Sequence, residues 1–284
     1  MDYHSFDFVN EQYCRVLSKL SVSQFKQLIH NNINDSKTED IDTDRQQYEQ
    51  LIKYCNKQLN NKCKLATVYK FVKNKTDGRM FVTDNLGLQR MRGIFRGVLS
   101  DGVYWDFDMV NCHPQILLFI CKKNNISCRE LNYYCTNRDF YFNELIDKEG
   151  LTKDEAKKLY LTSMNSDRLT TIQNKKKIKS QAFYEFDKEM KEIQRKLTEL
   201  NPQLKATLEK TKSKNINGSL LNTLLCIEEN NILQDLINKS KNGKINFSLD
   251  VLIFDGFLSK IQNNVSKDDI INTLNKATED KGIK

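Results

Sequence analysis

The residues YWDFDMVNCHP, at positions 104–114, constrain the fold more than any other stretch, because an acidic strand runs directly into a helix. Trp105 and Phe107 fall on one face of this strand, and Asp106 and Asp108 on the other, which is the period of two of a half-buried strand. A proline and helically spaced apolar residues follow. A carboxylate at such a junction is well placed to hold a metal ion. The alternative is that both acids are ordinary solvated residues on a strand edge.

A second acidic strand end lies near the C-terminus. Residues 251–254 form an apolar, β-prone run, and Asp255-Gly256 is a dipeptide typical of a two-residue hairpin turn. Residues 257–261 can return as the partner strand. Strands that are far apart in sequence can pair in one sheet, which would bring Asp108 and Asp255 together. Two carboxylates plus phosphate oxygens are ligands that Mg²⁺ prefers, and a metal pair supports phosphoryl or nucleotidyl transfer. Alternatively, Asp255 serves only the turn.

Charge and cysteine usage narrow the class of protein. The net charge is +8, which favours polyanionic partners such as nucleic acid. The 8 Cys and 3 His form no pattern typical of a zinc site, and we interpret the cysteines as reduced thiols of an intracellular protein. No apolar run approaches the roughly 18 residues of a membrane span, so we expect neither secretion nor membrane insertion.

Residues 1–62 carry helical periodicity and no residues that suggest chemistry. We expect residues 1–62 to form an accessory helical subdomain.

Basic segments are spread along the chain, and those at 175–179 and 205–214 are candidates for contact with DNA. Four arginines that could contact phosphates lie close together: Arg79, Arg90, Arg92 and Arg96. A solvated basic face is the alternative for the arginines.

A helix with a basic stripe is predicted over residues 152–165. Thr152 and Glu155 form the pattern of a capping box at its start. Lys153, Lys157 and Asn165 then recur at helical spacing along one side. Such a stripe is usually solvated, and it becomes functional only if it faces the two aspartates.

The order of these segments resembles the family A DNA polymerases and the single-subunit, phage-type RNA polymerases. It is most similar to the transposon-and-virus branch of that superfamily (TV-Pol), over about residues 76–275. The resemblance implies an α+β, mainly helical fold. It would comprise a right-hand polymerase palm with a small antiparallel sheet, helical fingers and a helical N-terminal subdomain. The subdomain is expected at 1–62 and the palm at 63–284, with the fingers inserted at about 115–215.

The two acidic strand ends match the palm motifs of this superfamily. The segment that begins at Asp108 resembles motif A, which implies that Asp108 binds metal and that Asn111 and His113 line the site. Asp106 is the alternative ligand, since it shares a face with Asp108. The segment around Asp255 resembles motif C and implies a second metal ligand. Glycine follows Asp255 where DNA polymerases have another acid, so Asp255 would act alone.

The basic helix resembles motif B of the fingers. Lys157, with Lys153, would contact the triphosphate, and Asn165 would lie beside the sugar. The superfamily usually has Tyr-Gly where this chain has Asn165-Ser166, so the choice between deoxy- and ribonucleotides stays open. The segment before motif A resembles a region that contacts substrate through three residues: Arg79, Gln89 and Arg96. Of these, Arg79 would touch the primer–template backbone.

The resemblance implies a template-dependent nucleotidyltransferase, most simply a DNA polymerase or primase-polymerase of a virus or mobile element. It would use two Mg²⁺ ions, a DNA primer–template and nucleoside triphosphates, with a superfamily 3 helicase in cis or in trans. It would work in the host cytoplasm, a viral replication site or the nucleus. A Mg²⁺-dependent nuclease is an alternative, although it has no triphosphate for the lysine stripe to neutralise. A non-catalytic DNA-binding or helicase-associated module is another. Primer dependence and oligomeric state stay open.

Overall fold

The computed structural model describes residues 2–32, 41–72, 77–170, 178–211 and 214–283. The basic segments expected at 175–179 and 205–214 lie partly outside these ranges. Two compact units are present, and each is built from two separate stretches of chain. The first unit comprises Met1–Asp108 and Ile232–Ala277, and the second comprises Met109–Asn231 and Thr278–Lys284. The predicted division at residue 62 stays a prediction.

The first unit begins with a three-stranded antiparallel sheet in the order β1-β2-β3. Its strands are β1 (Tyr3–Phe8), β2 (Lys64–Phe71) and β3 (Met80–Val82). Four helices belong to the same unit: α1 (Glu11–Leu17), α2 (Val22–Asn32), α3 (Ile41–Asn60) and α4 (Gly93–Ser100). The expectation of an all-helical segment 1–62 is therefore wrong for β1, which pairs with β2 along its whole length. Its six residues alternate between two faces, a pattern too short to stand out in the sequence.

A second antiparallel sheet in this unit joins strands that are distant in sequence. Its strands are β4 (Tyr104–Asp108), β5 (Val251–Ile253) and β6 (Gly256–Lys260), in the order β4-β6-β5. Tyr104 lies opposite Lys260, and Asp108 lies opposite Gly256. The prediction that the two acidic strand ends share one sheet is confirmed. A helix capped by Ser266, α12 (Lys267–Ala277), completes the unit.

The core of the first unit lies between its helices and sheets. Phe25 of α2 stacks on Phe95 of α4 with ring centroids 5.1 Å apart, and both rings are buried. Leu51 and Tyr54 of α3 belong to the same buried cluster, as does Val251 of β5. Because the two sheets contribute to one core, β4 and the β5–β6 hairpin are supported from behind by close packing.

The second unit is helical. Its helices are α5 (Cys112–Lys123), α6 (Arg129–Thr136), α7 (Arg138–Glu149), α8 (Lys153–Asn165), α9 (Gln181–Leu200), α10 (Pro202–Glu209) and the first part of α11 (Ile216–Lys241). Aromatic rings fill the core, with Tyr134 lying 4.8 Å from Tyr160 and 5.1 Å from Phe186 between centroids. The capping box at Thr152 and Glu155 is present, as predicted.

These elements confirm the prediction of an α+β, mainly helical fold with small antiparallel sheets. Within the described ranges, no helix combines the length and apolar character that crossing a bilayer requires.

Candidate functional site

The end of β4 and the β5–β6 hairpin bring two carboxylates to adjacent strand ends. Asp108 is the last residue of β4 and lies opposite Gly256, the first residue of β6. Asp255 directly precedes Gly256 in the hairpin loop. An added Cβ atom at Gly256 would lie 3.2 Å from Oδ1 of Asp108, so this carboxylate lies beside the backbone that carries Asp255. The strand pairing therefore assembles the acidic pair that the sequence predicted.

Gly256 is required by the close approach of β4. A Cβ atom there would lie 2.3 Å from the backbone carbonyl oxygen of Phe107, well inside van der Waals contact. The sequence prediction of an Asp255-Gly256 turn is wrong in detail, because Ile253 pairs with Gly256 and the loop is Phe254-Asp255. Phe254 takes the positive φ of the turn, at 48°. A second acid at position 256, as in DNA polymerases, would have no room for its side chain.

Asp106 lies farther from the hairpin loop than Asp108. It is opposite Leu258, two residue pairs along the ladder from the Asp108–Gly256 pair. Residues two apart in a strand are separated by about 7 Å, so Asp106 lies roughly that far from Asp108. Both acids are exposed, whereas Phe107 between them is buried. Of the two, Asp108 is therefore the carboxylate next to the Asp255 loop.

The donor set fits Mg²⁺ in kind. Among the residues that the structure describes, no group of three or more His, Cys, Asp or Glu side chains is arranged to hold a metal ion. Magnesium is commonly bound through only one or two carboxylates, with the other positions taken by water and substrate phosphates. Asp108 and Asp255 supply such a pair of hard oxygen donors. Glycine at position 256 lets the Asp108 carboxylate lie against the backbone that carries Asp255, since a Cβ atom there would be 3.2 Å from Asp108 Oδ1.

An aromatic and cationic cluster surrounds the hairpin loop. The Arg79 guanidinium lies 4.8 Å above the ring of Phe254, the residue before Asp255. The ring of Phe81 packs edge-on against Phe254 at 5.4 Å, and the Arg90 guanidinium lies 5.9 Å from the Phe81 ring. Cation–π contacts of this kind hold a guanidinium in place without neutralising it. Arg79 is therefore held beside the hairpin loop, and its predicted contact with the primer–template backbone stays a prediction.

The side chain of Gln89 is buried and forms hydrogen bonds within the fold. Its side chain is 5% exposed, and its amide accepts a hydrogen bond from Val82 N–H (2.9 Å) and donates one to the Met80 carbonyl (3.0 Å). These bonds attach the short 3₁₀ turn Leu88–Arg90 to β3. A direct contact of Gln89 with substrate stays a prediction, whereas its part in positioning β3 is visible.

The buried carboxyl of Asp7 fixes the same turn from the other side. Its Oδ2 atom accepts hydrogen bonds from Leu88 N–H (2.7 Å) and from the Tyr54 hydroxyl (2.9 Å). Burial raises the pKa of Asp7 to about 6, although these two hydrogen bonds oppose the shift. A carboxyl in this position ties β1 to the segment that carries Gln89 and Arg90.

Two of the other arginines already have partners within the fold. Arg92 forms an ion pair with Asp44 at 2.6 Å and a hydrogen bond with Gln47. Arg96 donates to the Met91 carbonyl at 3.3 Å and is half-buried. Of the four arginines, Arg92 is thus part of a structural ion pair, and the substrate contact predicted for Arg96 stays a prediction.

In the second unit, the start of α5 places Asn111 and His113. Asn111 has a left-handed backbone conformation (φ 52°), and its buried side-chain nitrogen has no hydrogen-bond partner. His113 lies 3.0 Å from Glu229, whose side chain is fully buried. Burial of the imidazole opposes its protonation, but hydrogen bonds with Cys226 and Glu229, together with the Glu229 charge, outweigh it and raise the pKa of His113 to about 9. His113 is therefore cationic at neutral pH.

The stripe predicted on α8 is present, and its members differ in their surroundings. Lys153 forms an ion pair with Asp139 at 3.3 Å, and Lys157 is exposed. The Asn165 side chain donates to the Leu161 carbonyl within its own helix, and its backbone carbonyl accepts from the Asn215 side chain at 2.9 Å. The end of α8 is thereby attached to the start of α11. The roles predicted for these residues toward a nucleotide are not tested by these contacts.

Glu229, the buried partner of His113, was not singled out from the sequence. Glu229 stands among leucines and isoleucines on α11, with Leu225 four residues before it and Leu233 four residues after it, and all three are buried. A carboxylate on the apolar stripe of a helix must find a partner, because an unpaired buried charge is costly. That pattern was visible in the sequence, but nothing in it identified His113 as the partner.

Comparisons with known proteins agree with this fold. No model of a protein family matches the sequence. A putative helicase of the Sputnik virophage is 27% identical over 231 residues, which make up 77% of this chain and 29% of the virophage protein. A solved structure, the POL domain of Pol1 from M. smegmatis in complex with DNA primer-template and dNTP, has a TM-score of 0.56 at 12% identity. That match covers 97% of this chain and 64% of the solved chain.

The chain thus spans less than a third of the virophage relative and just under two thirds of the solved polymerase chain. At this level of identity the structural likeness shows the fold alone. Mainly helical units with small antiparallel sheets, as found in a polymerase domain, are the architecture that the sequence predicted.

Proposed function

We propose that this chain is a template-dependent nucleotidyltransferase, most simply a DNA polymerase or primase-polymerase of a virus or mobile element. One observation carries the proposal. The pairing of β4 with β6 brings Asp108 opposite Gly256, and so places two carboxylates from distant segments at neighbouring strand ends. Two carboxylates at neighbouring strand ends suit the binding of Mg²⁺ and a triphosphate.

Asp108 and Asp255 are assigned as the residues that would hold two Mg²⁺ ions. When bound, such ions activate the attacking hydroxyl and stabilise charge on the leaving pyrophosphate. Asp108 is preferred over Asp106 because it lies beside the Asp255 loop. Asp106 is close enough to serve as an outer carboxylate that orients water around the pair.

The remaining residues bind and orient the substrates. Lys157, with Lys153, is assigned to neutralise the triphosphate, and Asn165 to lie beside the sugar. Arg79, held on the Phe254 ring beside the hairpin loop, is assigned to contact the primer–template backbone through its guanidinium group. Contacts from four further residues are proposed: Gln89, Arg96, Asn111 and His113. We expect Gln89 to act mainly through the position of β3.

The proposed substrates follow from the chemistry of the site and are supported by the comparisons. The solved neighbour holds DNA primer-template and dNTP, and the virophage relative is named as a putative helicase. We infer that this chain uses a DNA primer–template with nucleoside triphosphates, belongs to the TV-Pol branch, and works with a superfamily 3 helicase in cis or in trans. Its place of action would be the site of viral replication in the host.

Primer extension tests the proposal. A labelled DNA primer–template is incubated with Mg²⁺ and either deoxy- or ribonucleotides, with the wild-type, Asp108→Asn, Asp255→Asn and Asp106→Asn proteins in parallel. We expect extension by the wild type and none by the first two variants, with partial activity in Asp106→Asn. All variants should bind DNA as the wild type does. Asp101→Asn, in the exposed turn before β4, is the control for the loss of one negative charge.

The alternatives give different results in the same experiment. Metal-dependent shortening of the primer without nucleotides would indicate a nuclease. DNA binding with neither reaction, unchanged by either substitution, would indicate a non-catalytic module. Full extension by Asp255→Asn would contradict the assignment of the site.

A further inference from the structure

The outer face of the β1-β2-β3 sheet carries exposed aromatic rings. The alternate residues Asp7, Leu65 and Tyr69 point into the core and are buried. Phe6 points the other way and is 44% exposed, and Phe8 on the same face is half-buried. Lys64 pairs with Phe8 across the two strands. This outer face, defined by Phe6, Phe8 and Lys64 with Lys260 from β6, belongs entirely to the first unit.

Two ammonium groups lie over these rings. The Lys64 Nζ atom is 4.4 Å from the centroid of Phe6 and 5.7 Å from that of Phe8. The Lys260 Nζ atom is 3.8 Å from the centroid of Phe8. Lys260 reaches this place because it lies opposite Tyr104, whose hydroxyl accepts a hydrogen bond from Phe8 N–H at 2.7 Å. The junction of the two sheets therefore fixes a cation over the half-buried ring of Phe8.

The charge on this face is positive. Lys70 on the same side of β2 pairs with Asp2 at 2.9 Å. The other nearby acid, Asp250, is half-buried and accepts hydrogen bonds from the Ser248 hydroxyl (2.6 Å) and from Lys260 N–H (2.8 Å). Lys64 and Lys260 thus face the rings, while Asp2 pairs with Lys70, and Asp250 accepts hydrogen bonds from Ser248 and from the backbone N–H of Lys260.

We propose that the outer face binds single-stranded nucleic acid, with a base stacked on Phe6 and the sugar–phosphate backbone against Lys64 and Lys260. Aromatic rings beside cations on an open sheet are the features that bind single strands without regard to sequence. An exposed cation–π contact is weaker than the stacking of a base on the same ring. A base can therefore take the place of the Lys64 ammonium on the exposed Phe6 ring, while the ammonium turns to a phosphate.

The position of the face suits a strand that also reaches the acidic pair. Lys260 and Gly256 are the two ends of β6, so they lie about 13 Å apart along the strand. The binding of single strands by the outer face does not depend on the proposed reaction, because neither Asp108 nor Asp255 takes part in it.

The test measures binding without catalysis. Fluorescence anisotropy follows a labelled oligothymidylate, longer than the roughly 4–16 nucleotides that such sites cover, added to the full Asp255→Asn chain without Mg²⁺. Phe6→Leu keeps an apolar side chain and removes the ring, and Lys64→Ala removes a cation. Tyr13→Ala, an aromatic 38% exposed on α1, and Lys57→Ala, an exposed lysine on α3, are the matched controls.

We expect Phe6→Leu to weaken binding by at least about fivefold. Lys64→Ala should lower the slope of log Kd against log salt concentration by about one, which corresponds to one fewer ion released. The control variants should change neither the affinity nor this slope. Unchanged affinity in both test variants would overturn the proposal. So would a loss of self-association in Phe6→Leu at unchanged oligonucleotide affinity, which would make the face a contact between copies. Primer extension is not part of this test, so an inactive enzyme would leave its outcome unaffected.

Discussion

Gly256 shows how one residue sets the geometry of the acidic pair. Its backbone does not have a positive φ, so conformational freedom is not the reason for glycine here. Space is the reason, because a Cβ atom would contact the Phe107 carbonyl oxygen at 2.3 Å and crowd the Asp108 carboxylate. The strand pair β4–β6 can close to its normal spacing only with glycine at this position.

We expect Gly256→Ala to separate β4 from β6 and to displace Asp255 from Asp108. The clash is with backbone, which cannot rotate away, so unfolding should become easier by at least about 2 kcal/mol. Nucleotide incorporation should also fall, because Asp255 would lie farther from Asp108. Urea unfolding and primer extension measure the two effects.

Gly97→Ala is the matched control for this substitution. Gly97 lies within α4, and nothing lies within 4 Å of an added Cβ atom. Alanine there should be neutral or stabilising, since glycine is the poorer helix former. Equal behaviour of the two variants would contradict the steric account of Gly256.

At the scale of elements, the pairing of α5 with α11 depends on a charged contact. His113 comes from the first turn of α5, and Glu229 from within α11. Because the imidazole is protonated in the folded state up to about pH 9, the pair is an ion pair at neutral pH. The raised pKa of His113 means that this contribution to stability is fully present below about pH 6.5. It is lost as the pH rises through about 9.

We expect Glu229→Gln to lower the pKa of His113, because the neighbouring charge is removed while burial of the imidazole remains. The chain has only 3 His, so the imidazole signals can be assigned by NMR and followed against pH. Glu228→Gln, one residue away, is the control and should leave the His113 titration unchanged. An unaltered titration in Glu229→Gln would show that Glu229 does not hold the proton on His113.

Elements with strong local signals could be predicted from the sequence, and contacts between them could not. Helix α8 has a capping box, and β4 has a clear alternation, so both were predicted correctly. The hairpin at Asp255 was predicted with its loop shifted by one residue, because Asp-Gly is a strong turn signal and the steric demand on Gly256 comes from β4. The partners of Glu229 and Gln89 depend on tertiary packing, which no local pattern encodes.

At the scale of the whole molecule, the net charge of +8 bears on every nucleic-acid contact. Binding that neutralises phosphates releases counterions, so affinity for a primer–template should fall linearly with salt on a double logarithmic plot. We expect Arg79→Ala to lower the slope of log affinity against log salt concentration by about one, the contribution of one phosphate contact. Arg15→Ala, whose guanidinium pairs with Glu11 on the exposed face of α1, should leave the slope unchanged.

Binding titrations of a labelled primer–template over a range of salt concentrations measure these slopes. The Asp255→Asn protein without Mg²⁺ keeps the DNA intact during the measurement. An affinity that does not depend on salt would contradict a backbone contact of any kind. An unchanged slope in Arg79→Ala would remove Arg79 from the contact.

The order of strands in the second sheet has a consequence for biosynthesis. In the described chain, β4 pairs only with β6, which follows it by about 150 residues. On the ribosome, β4 therefore emerges long before its partner, and the stretch Met109–Asn231 of the second unit is translated between them. A nascent chain that stalls before Gly256 presents an open strand edge that can pair with other chains. Occupancy of nascent chains by holding chaperones should be highest across this interval and should fall once residue 260 has emerged.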